Sequence, residues 1–231
     1  MSKKSQTIVL LSGGLDSTVA LAHAHKHSQV KLALSFDYGQ RAAVQELKAA
    51  KEIASDYRIP HEILPLPWLK QLGNSALTHS DKTIPQDTAL TGTQAQKSAE
   101  AVWVPGRNTL FISIALAHAE AMKYDSIVAG FNHEEGQTFP DNSENYAAAI
   151  NKMLAEATHG SVSLECPLGA MDKAEIVVLG RKLRAPIEKV WPCYAGELSL
   201  CMKCESCRRF VKALKDSANW EWYLEQRKNI K

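Results

Sequence analysis

A chain of 231 residues is long enough for one large domain or two small ones, and its core can hide enough surface to fold without disulfides. At 45% hydrophobic and 23% charged it is neither a disordered nor a collagen-like chain. With 27 basic residues against 25 acidic ones, the net charge of +2 excludes a strongly basic protein that coats nucleic acid, and leaves room only for a local patch. No run approaches ~18 apolar residues, so a membrane-spanning helix is not expected. After Met1-Ser2-Lys3-Lys4 the apolar stretch 8–11 is broken by Ser12, Gly13, Gly14 and Asp16, too soon for an export signal, and a cytoplasmic protein is expected. In a reducing compartment its five cysteines are expected to act as metal ligands or reactive thiols rather than disulfides.

In chain order, residues 7–11 are apolar and β-branched, the mark of a strand buried on both faces. Residues 17–27 read as a helix, 30–36 as a strand, 41–57 as a helix ended by Pro60, and 61–64 as a third strand. From 65 to 101 the pattern dissolves into Pro, Gly, Ser and Thr, which predicts a long loop serving as a lid or binding segment. Order returns with a helix over 108–123, a strand over 126–129, a helix over 143–158, a strand over 162–165 and a helix over 172–182. Such alternation predicts an α/β fold, a parallel sheet with helices on both faces. Ligands then bind at the carboxyl ends of the strands, in the loops after Leu11, Phe36 and Ala129.

The first of these loops, Ser12-Gly13-Gly14-Leu15-Asp16-Ser17, runs straight into a helix. Its glycines let backbone N–H groups approach an anion, its serines add donors, and the helix N-terminus adds partial positive charge. Asp16 either caps the helix or helps to hold a divalent cation that bridges to phosphate. The plain alternative is a strand–turn–helix junction shaped by glycine. The hexapeptide lacks both the Gly-Lys-Ser/Thr ending of a Walker loop and the three-glycine spacing of a dinucleotide fold.

It resembles instead the pyrophosphate loop of the N-type ATP pyrophosphatases, which cleave ATP between the α and β phosphates and adenylate a carboxyl or carbonyl oxygen. Three more segments narrow the likeness: Phe36-Asp37-Tyr38-Gly39-Gln40-Arg41, Val104-Pro105-Gly106-Arg107-Asn108, and Cys193 with Cys201-Met202-Lys203-Cys204-Glu205-Ser206-Cys207. Together, over residues 7–210, they resemble the 7-cyano-7-deazaguanine synthase family of queuosine and archaeosine precursor biosynthesis. The resemblance implies a Rossmann-like, adenine nucleotide alpha hydrolase-like domain over 1–185 and a small zinc-binding helical segment over 186–231. It implies a homodimer that joins 7-carboxy-7-deazaguanine and ammonia at the expense of ATP with Mg2+, without direct contact to nucleic acid.

The resemblance also assigns residues. ATP contacts fall at Leu11, Ser12, Gly13, Gly14, Leu15, Asp16, Ser17 and Thr18, with Asp37 and Gln40 at the adenosine unless they are ordinary turn residues. Asp16, Ser17, Arg107 and Lys173 form the catalytic set. Lys173 faces the leaving pyrophosphate, or is a solvated surface lysine. Arg107, a fork donor for phosphate or carboxylate, joins Asn108 and Asp141 as the substrate-binding set. Pro105-Gly106 before Asn108 also reads as a bend with a helix cap. The stretch 131–141 departs from the family's Asp-Tyr-Ser-Gly-Tyr-Pro-Asp run and keeps only Phe139-Pro140-Asp141, where Asp141 could accept from a guanine-like base. His133 reads as a surface residue rather than a base.

Cys193, Cys201, Cys204 and Cys207 are separated by seven, two and two residues, a spacing that lets four thiolates converge on one structural zinc ion. An iron–sulfur cluster and a catalytic thiol are the competing readings, and the family's first gap is one residue longer. Cys166 reads as a small buried apolar residue. The tail from 208 interleaves Arg208, Arg209, Lys212, Lys215, Arg227, Lys228 and Lys231 with Trp220, Trp222 and Tyr223. It reads as an amphipathic helix that packs Phe210, Val211 and Leu214 and solvates its charges, more than as an RNA-binding strip. Three other functions share the pyrophosphate loop: a tRNA-thiolating enzyme, a non-catalytic nucleotide-binding module, and a paralogue that attaches a deazaguanine to another target.

Overall fold

The computed structural model describes residues 4–159 and 162–228; Met1, Ser2 and Lys3 of the basic start and Lys231 of the tail lie outside the described residues. Five strands, β1 (Gln6–Leu10), β2 (Gln29–Asp37), β3 (His61–Pro65), β4 (Ser126–Val128) and β5 (Ser163–Glu165), form one sheet in the order β3-β2-β1-β4-β5. Every pair is parallel, with Ile8 opposite both Leu32 and Ile127. From β1 the chain winds outward through β2 and β3, then returns to the other side of β1 for β4 and β5. The crevice of an open α/β sheet lies where that order reverses, between the carboxyl ends of β1 and β4.

Period-2 alternation divides the strands between two cores. Val9 and Val128 point to one face, where α1 (Leu15–His27), α2 (Ala43–Asp56) and α7 (Lys173–Leu183) supply Val19, Leu21, Ile53 and Ile176. Ile8 and Ile127 point to the other, where α4 (Arg107–Met122) and α6 (Glu144–Ala157) supply Ile112, Ala115, Ile150 and Leu154. The carboxy-terminal helices α8 (Glu205–Asp216) and α9 (Trp220–Lys228) place Phe210, Ala213, Leu214 and Tyr223 in the first of these cores. No helix among the described residues is long and apolar enough to cross a membrane.

The stretch 65–101 is not the structureless loop that its composition predicts. It holds a short 3-10 turn (Leu69–Gln71) and α3 (Gly92–Ala101), whose buried face is Ala95, Ser98 and Ala99. An alanine and serine face carries almost no apolar signature, which explains why the periodicity hides it. The segment is also tied down: Ala76 N–H donates to Ala101 O at 2.8 Å, Asp87 N–H to Lys203 O at 2.9 Å, and Gln86 bridges to Cys204. A further short helix, α5 (His133–Gly136), interrupts the loop after β4, with Asn132 accepting from Glu135 N–H at 2.9 Å as its cap.

Candidate active site and metal centre

Leu11 closes β1, its N–H donating to Leu34 O at 2.8 Å, and the chain then turns through Ser12, Gly13 and Gly14 into α1. Gly13 sits at φ +84°, and a Cβ there would fall 2.4 Å from the Glu46 carbonyl oxygen, so both conformation and space demand glycine. Ser12 and Ser17 hydroxyls lie 3.0 Å apart, Ser17 Oγ accepts from Ser12 N–H at 3.2 Å, and Thr18 Oγ1 donates to Gly14 O at 2.7 Å. Gly14 occupies the N-cap and no side chain caps α1. The orphan amides and positive dipole end of this helix are thus left open toward the crevice. Asp16 is not the cap; it stands inside the first turn. From the other side of the switch point Gly130 presses against the loop, where a Cβ would meet Ser17 N at 2.7 Å.

A cavity of about 260 Å³ opens over this turn. Leu11, Ser12, Gly14, Leu15, Asp16, Ser17, Gln40, Arg107, Asn108 and Lys173 all line it. Gly13 and Thr18 support the turn from beneath. Asp37 and Asp141 stand outside the lining. The Asp37 carboxylate accepts from Gly39 N–H at 3.1 Å, which is the work of a turn residue. Gln40 lines the cavity, but its amide is engaged within the protein: it accepts from Tyr38 N–H and donates to Phe36 O and to Glu46 Oε2.

Lys173, at the first turn of α7, is no surface lysine. Its side chain is 7% exposed, and its ammonium lies 2.7 Å from both Asp16 Oδ2 and Glu135 Oε1. Those two carboxylates hold the ammonium firmly protonated against the opposing effect of burial. A lysine ammonium has three donors, so one remains for a ligand oxygen. Asp16 itself is raised from 3.8 to about 6, because burial outweighs the attraction of Lys173, with Glu135 adding repulsion. Its other oxygen, Oδ1, is buried without a hydrogen-bond partner.

Arg107 donates to Tyr38 Oη at 3.2 Å, and Tyr38 and Asp141 keep its guanidinium charged in spite of burial. Gly106, at φ +64°, forms the N-cap of α4, so Asn108 is free of the capping role, and its amide donates to Asp141 O at 3.3 Å. Asp141 is pushed up by burial, with Arg107 opposing. His133 is exposed, as a surface histidine should be.

Two cavity carboxylates escape sequence reasoning. Glu135 is hidden in the stretch that departs from the family pattern, and Glu46 lies in the first turn of α2 with no motif around it. Burial pushes Glu46 up from 4.5 to about 7, against its bond from Gln40.

The thiol sulfurs of Cys193, Cys201, Cys204 and Cys207 all lie within 4.8 Å of one another. Tetrahedral zinc–sulfur bonds of about 2.3 Å set the sulfurs of one ion ~3.8 Å apart, and Cys201 Sγ and Cys207 Sγ already lie 4.0 Å apart, so a modest contraction of the cluster would seat a four-thiolate metal. Backbone N–H groups of Ala195 and Cys201 donate to Cys193 Sγ, and Cys204 N–H donates to Cys201 Sγ, a cage that favours thiolate. Cys166 stands apart, half-buried, and its thiol is pushed up to about 12 by burial and by Glu165. Among the tail's cations, Lys212, Lys215 and Lys228 are exposed as expected, while Arg227 donates to Glu188 O and Val190 O, and Trp222 of the tail receives Arg181 of α7 at 3.6 Å. Arg209 departs from the solvated reading. It is buried between Glu205 and Glu134.

Fold, open glycine loop and buried lysine–carboxylate cluster together define an α/β protein of the pyrophosphate-loop class, with a carboxy-terminal cysteine cluster able to hold a metal. The family model for the queuosine biosynthesis protein QueC matches residues 6–218, and the chain belongs to that family. A 7-cyano-7-deazaguanine synthase of Desulforamulus reducens is 44% identical over 210 residues, 90% of this chain and 92% of that protein. One of Bdellovibrio bacteriovorus is 44% identical over 217 residues, covering 92% and 94%, and one of Methanosphaera stadtmanae is 40% identical over 228 residues, covering 97% and 100%.

Proposed function

We propose that this chain is an ATP-dependent ligase that converts 7-carboxy-7-deazaguanine and ammonia to 7-cyano-7-deazaguanine for queuosine biosynthesis. The observation that carries the reading is the uncapped α1 at the switch point, faced by a buried ammonium with one donor to spare. Family membership supplies the substrate.

A carboxylate resists attack by ammonia because it is negatively charged and has no leaving group. Attack of its oxygen on the α-phosphorus of ATP expels pyrophosphate and gives an acyl adenylate. Ammonia displaces AMP, leaving an amide and a proton. A second adenylation, now of the amide oxygen, expels another pyrophosphate, and loss of AMP and a proton leaves the nitrile. The protein's part is positioning and charge stabilisation. Leu11, Leu15 and the turn 12–14 cradle the nucleotide, while Ser12 and Ser17 donate to its phosphates. Thr18 braces the turn, and the free donor of Lys173 meets the departing pyrophosphate. Arg107 and Asn108 face the acceptor carboxylate, with Asp141 next to them through the Asn108 contact. Gln40 shapes the adenosine side, and Asp37 holds the turn behind it.

Mg2+ bound with ATP would neutralise phosphate charge and orient the phosphate oxygens. The residues fit that ion. Asp16 Oδ1 is buried and unpartnered. Glu135, the other carboxylate paired with Lys173, lines the same cavity, so two acidic groups stand beside the phosphate turn. Cys193, Cys201, Cys204 and Cys207 would hold a structural Zn2+ that fixes the fold of segment 186–231, while Asp87 and Gln86 of domain 1–185 contact Lys203 and Cys204 within it. Free ammonia as nitrogen source and a homodimer belong to the same reading and rest on the family resemblance, and a cytoplasmic location rests on the short apolar stretch 8–11. A thiolating activity fits less well, since Cys166 is held protonated and the other four cysteines cluster together.

Incubation with ATP, ammonium and 7-carboxy-7-deazaguanine, followed by mass, tests the reading. Nitrile and AMP are expected. ATP consumption that requires tRNA, with no turnover of the base, would overturn it.

A further inference from the structure

Arg209 lies two residues beyond the last clustered cysteine and is only 5% exposed, yet it touches neither the cavity nor the reacting groups. All three of its guanidinium nitrogens have partners. Nε and Nη2 contact Glu205 Oε1 at 3.0 and 2.9 Å, Nη2 also donates to Leu90 O at 2.9 Å, and Nη1 pairs with Glu134 Oε1 at 2.5 Å. The other oxygen of Glu134, Oε2, accepts from the backbone N–H of Lys173 at 3.3 Å. Glu134 and Glu135 are neighbours on α5, so one short helix sends one carboxylate to the Lys173 backbone and the next to its ammonium. A helix of this length has little stability of its own. α5 is held by its Asn132 cap, by the bond from His133 N–H to Met171 O at 3.1 Å, by the Lys173 contacts of Glu134 and Glu135, and by the ion pair to Arg209, the restraint that reaches it from α8.

We infer that Arg209 is a positioning residue for the reaction: acting through Glu134, it locks α5 so that Glu135 holds the Lys173 ammonium at the phosphate turn. Burial favours the role over a surface ornament, because a buried guanidinium between two carboxylates is retained only where its full hydrogen-bond set is met. The inference rests on the ligase reading for its kinetic consequence and on geometry alone for the restraint of Lys173.

The test uses the full-length metal-loaded protein and two readouts. In the first, the Lys173 amine is labelled with acetic anhydride against the other lysines and quantified by peptide mass. Arg209→Met and Glu134→Gln are each expected to label Lys173 about tenfold faster, the effect of a one-unit fall in its pKa, with Lys189 unchanged. In the second, pyrophosphate release is expected to fall about 10–100-fold in kcat with KM for ATP nearly unchanged, the usual loss when an outer partner of a site residue is removed. The double variant should lose no more than the worse single one. Glu134→Gln preserves shape and keeps the test open if Arg209→Met fails to fold. Unchanged Lys173 labelling in the folded variants, or kinetic losses that multiply in the double variant, would overturn the inference. A wild-type protein that releases no pyrophosphate would overturn the ligase reading instead and leave the labelling result standing.

Discussion

Replacing Asp16 with asparagine separates the stability of the site from its chemistry. The Asp16 carboxyl is raised from 3.8 to about 6 although Lys173 lies 2.7 Å away, so desolvation outweighs the ion pair. A raised carboxyl stabilises the fold fully below its unfolded value, and this contribution is lost as pH rises through the folded one. The gap of about two units corresponds to about 3 kcal/mol of cost to the fold at neutral pH, at ~1.4 kcal/mol per unit. That is an upper bound for what Asp16→Asn returns, because Lys173 loses one partner and keeps Glu135 at 2.7 Å. Urea unfolding followed by tryptophan fluorescence near neutral pH and again near pH 4 gives the comparison. The asparagine variant is expected to equal or exceed the wild type near pH 7.5, by up to about 3 kcal/mol, and to lose that advantage in acid. Pyrophosphate release should fall by about 10²–10³, the usual loss for one electrostatic group in an active site. A variant destabilised by more than about 2 kcal/mol near neutral pH, with turnover intact, would refute both the ordering of effects and the role.

Glu46, raised from 4.5 to about 7 by burial, makes wild-type stability decline as pH climbs through that interval; in Glu46→Gln the melting temperature should vary less between about pH 5 and 8, and an identical slope would remove Glu46 from the account. For Cys204→Ser, metal analysis should find the bound ion lost and calorimetry a lower melting temperature; a variant that keeps both metal and stability would show that the four sulfurs do not act together. In Gly130→Ala the added carbon meets backbone at 2.7 Å, which cannot yield as a flexible side chain does. Calorimetric titration should show at least about tenfold weaker ATP binding, a cost of ~1.4 kcal/mol; unchanged affinity would mean that the β4 loop does not shape the phosphate turn.

The strands and the glycine turn were legible because their signals are local: a buried parallel strand is a continuous apolar run, and a phosphate turn needs glycine where a Cβ would strike backbone. The parallel sheet followed from alternation, whereas its strand order is set by long-range pairing. What stayed hidden depends on distant partners. α3 buries alanine and serine, so no periodic apolar stripe announces it. Glu135 and Glu134 read as a departure from the family pattern, and only the fold brings them to Lys173 and Arg209. Arg209 read as one more solvated cation of a basic tail, since nothing local marks the carboxylates that enclose it. Asp37 shows the opposite case: its place at a strand end points to the nucleotide, but its carboxylate turns back onto Gly39.

The central claim, transfer of an adenylyl group to a carboxylate at the α1 turn, is tested most directly with 7-carboxy-7-deazaguanine labelled with 18O in both carboxylate oxygens. In the presence of ATP and ammonium, mass spectrometry of the nucleotide products should find one labelled oxygen in AMP for the first activation and another for the second, with unlabelled pyrophosphate. Label in inorganic phosphate accompanied by ADP would mean that the γ-phosphoryl group is transferred instead, and would contradict the account.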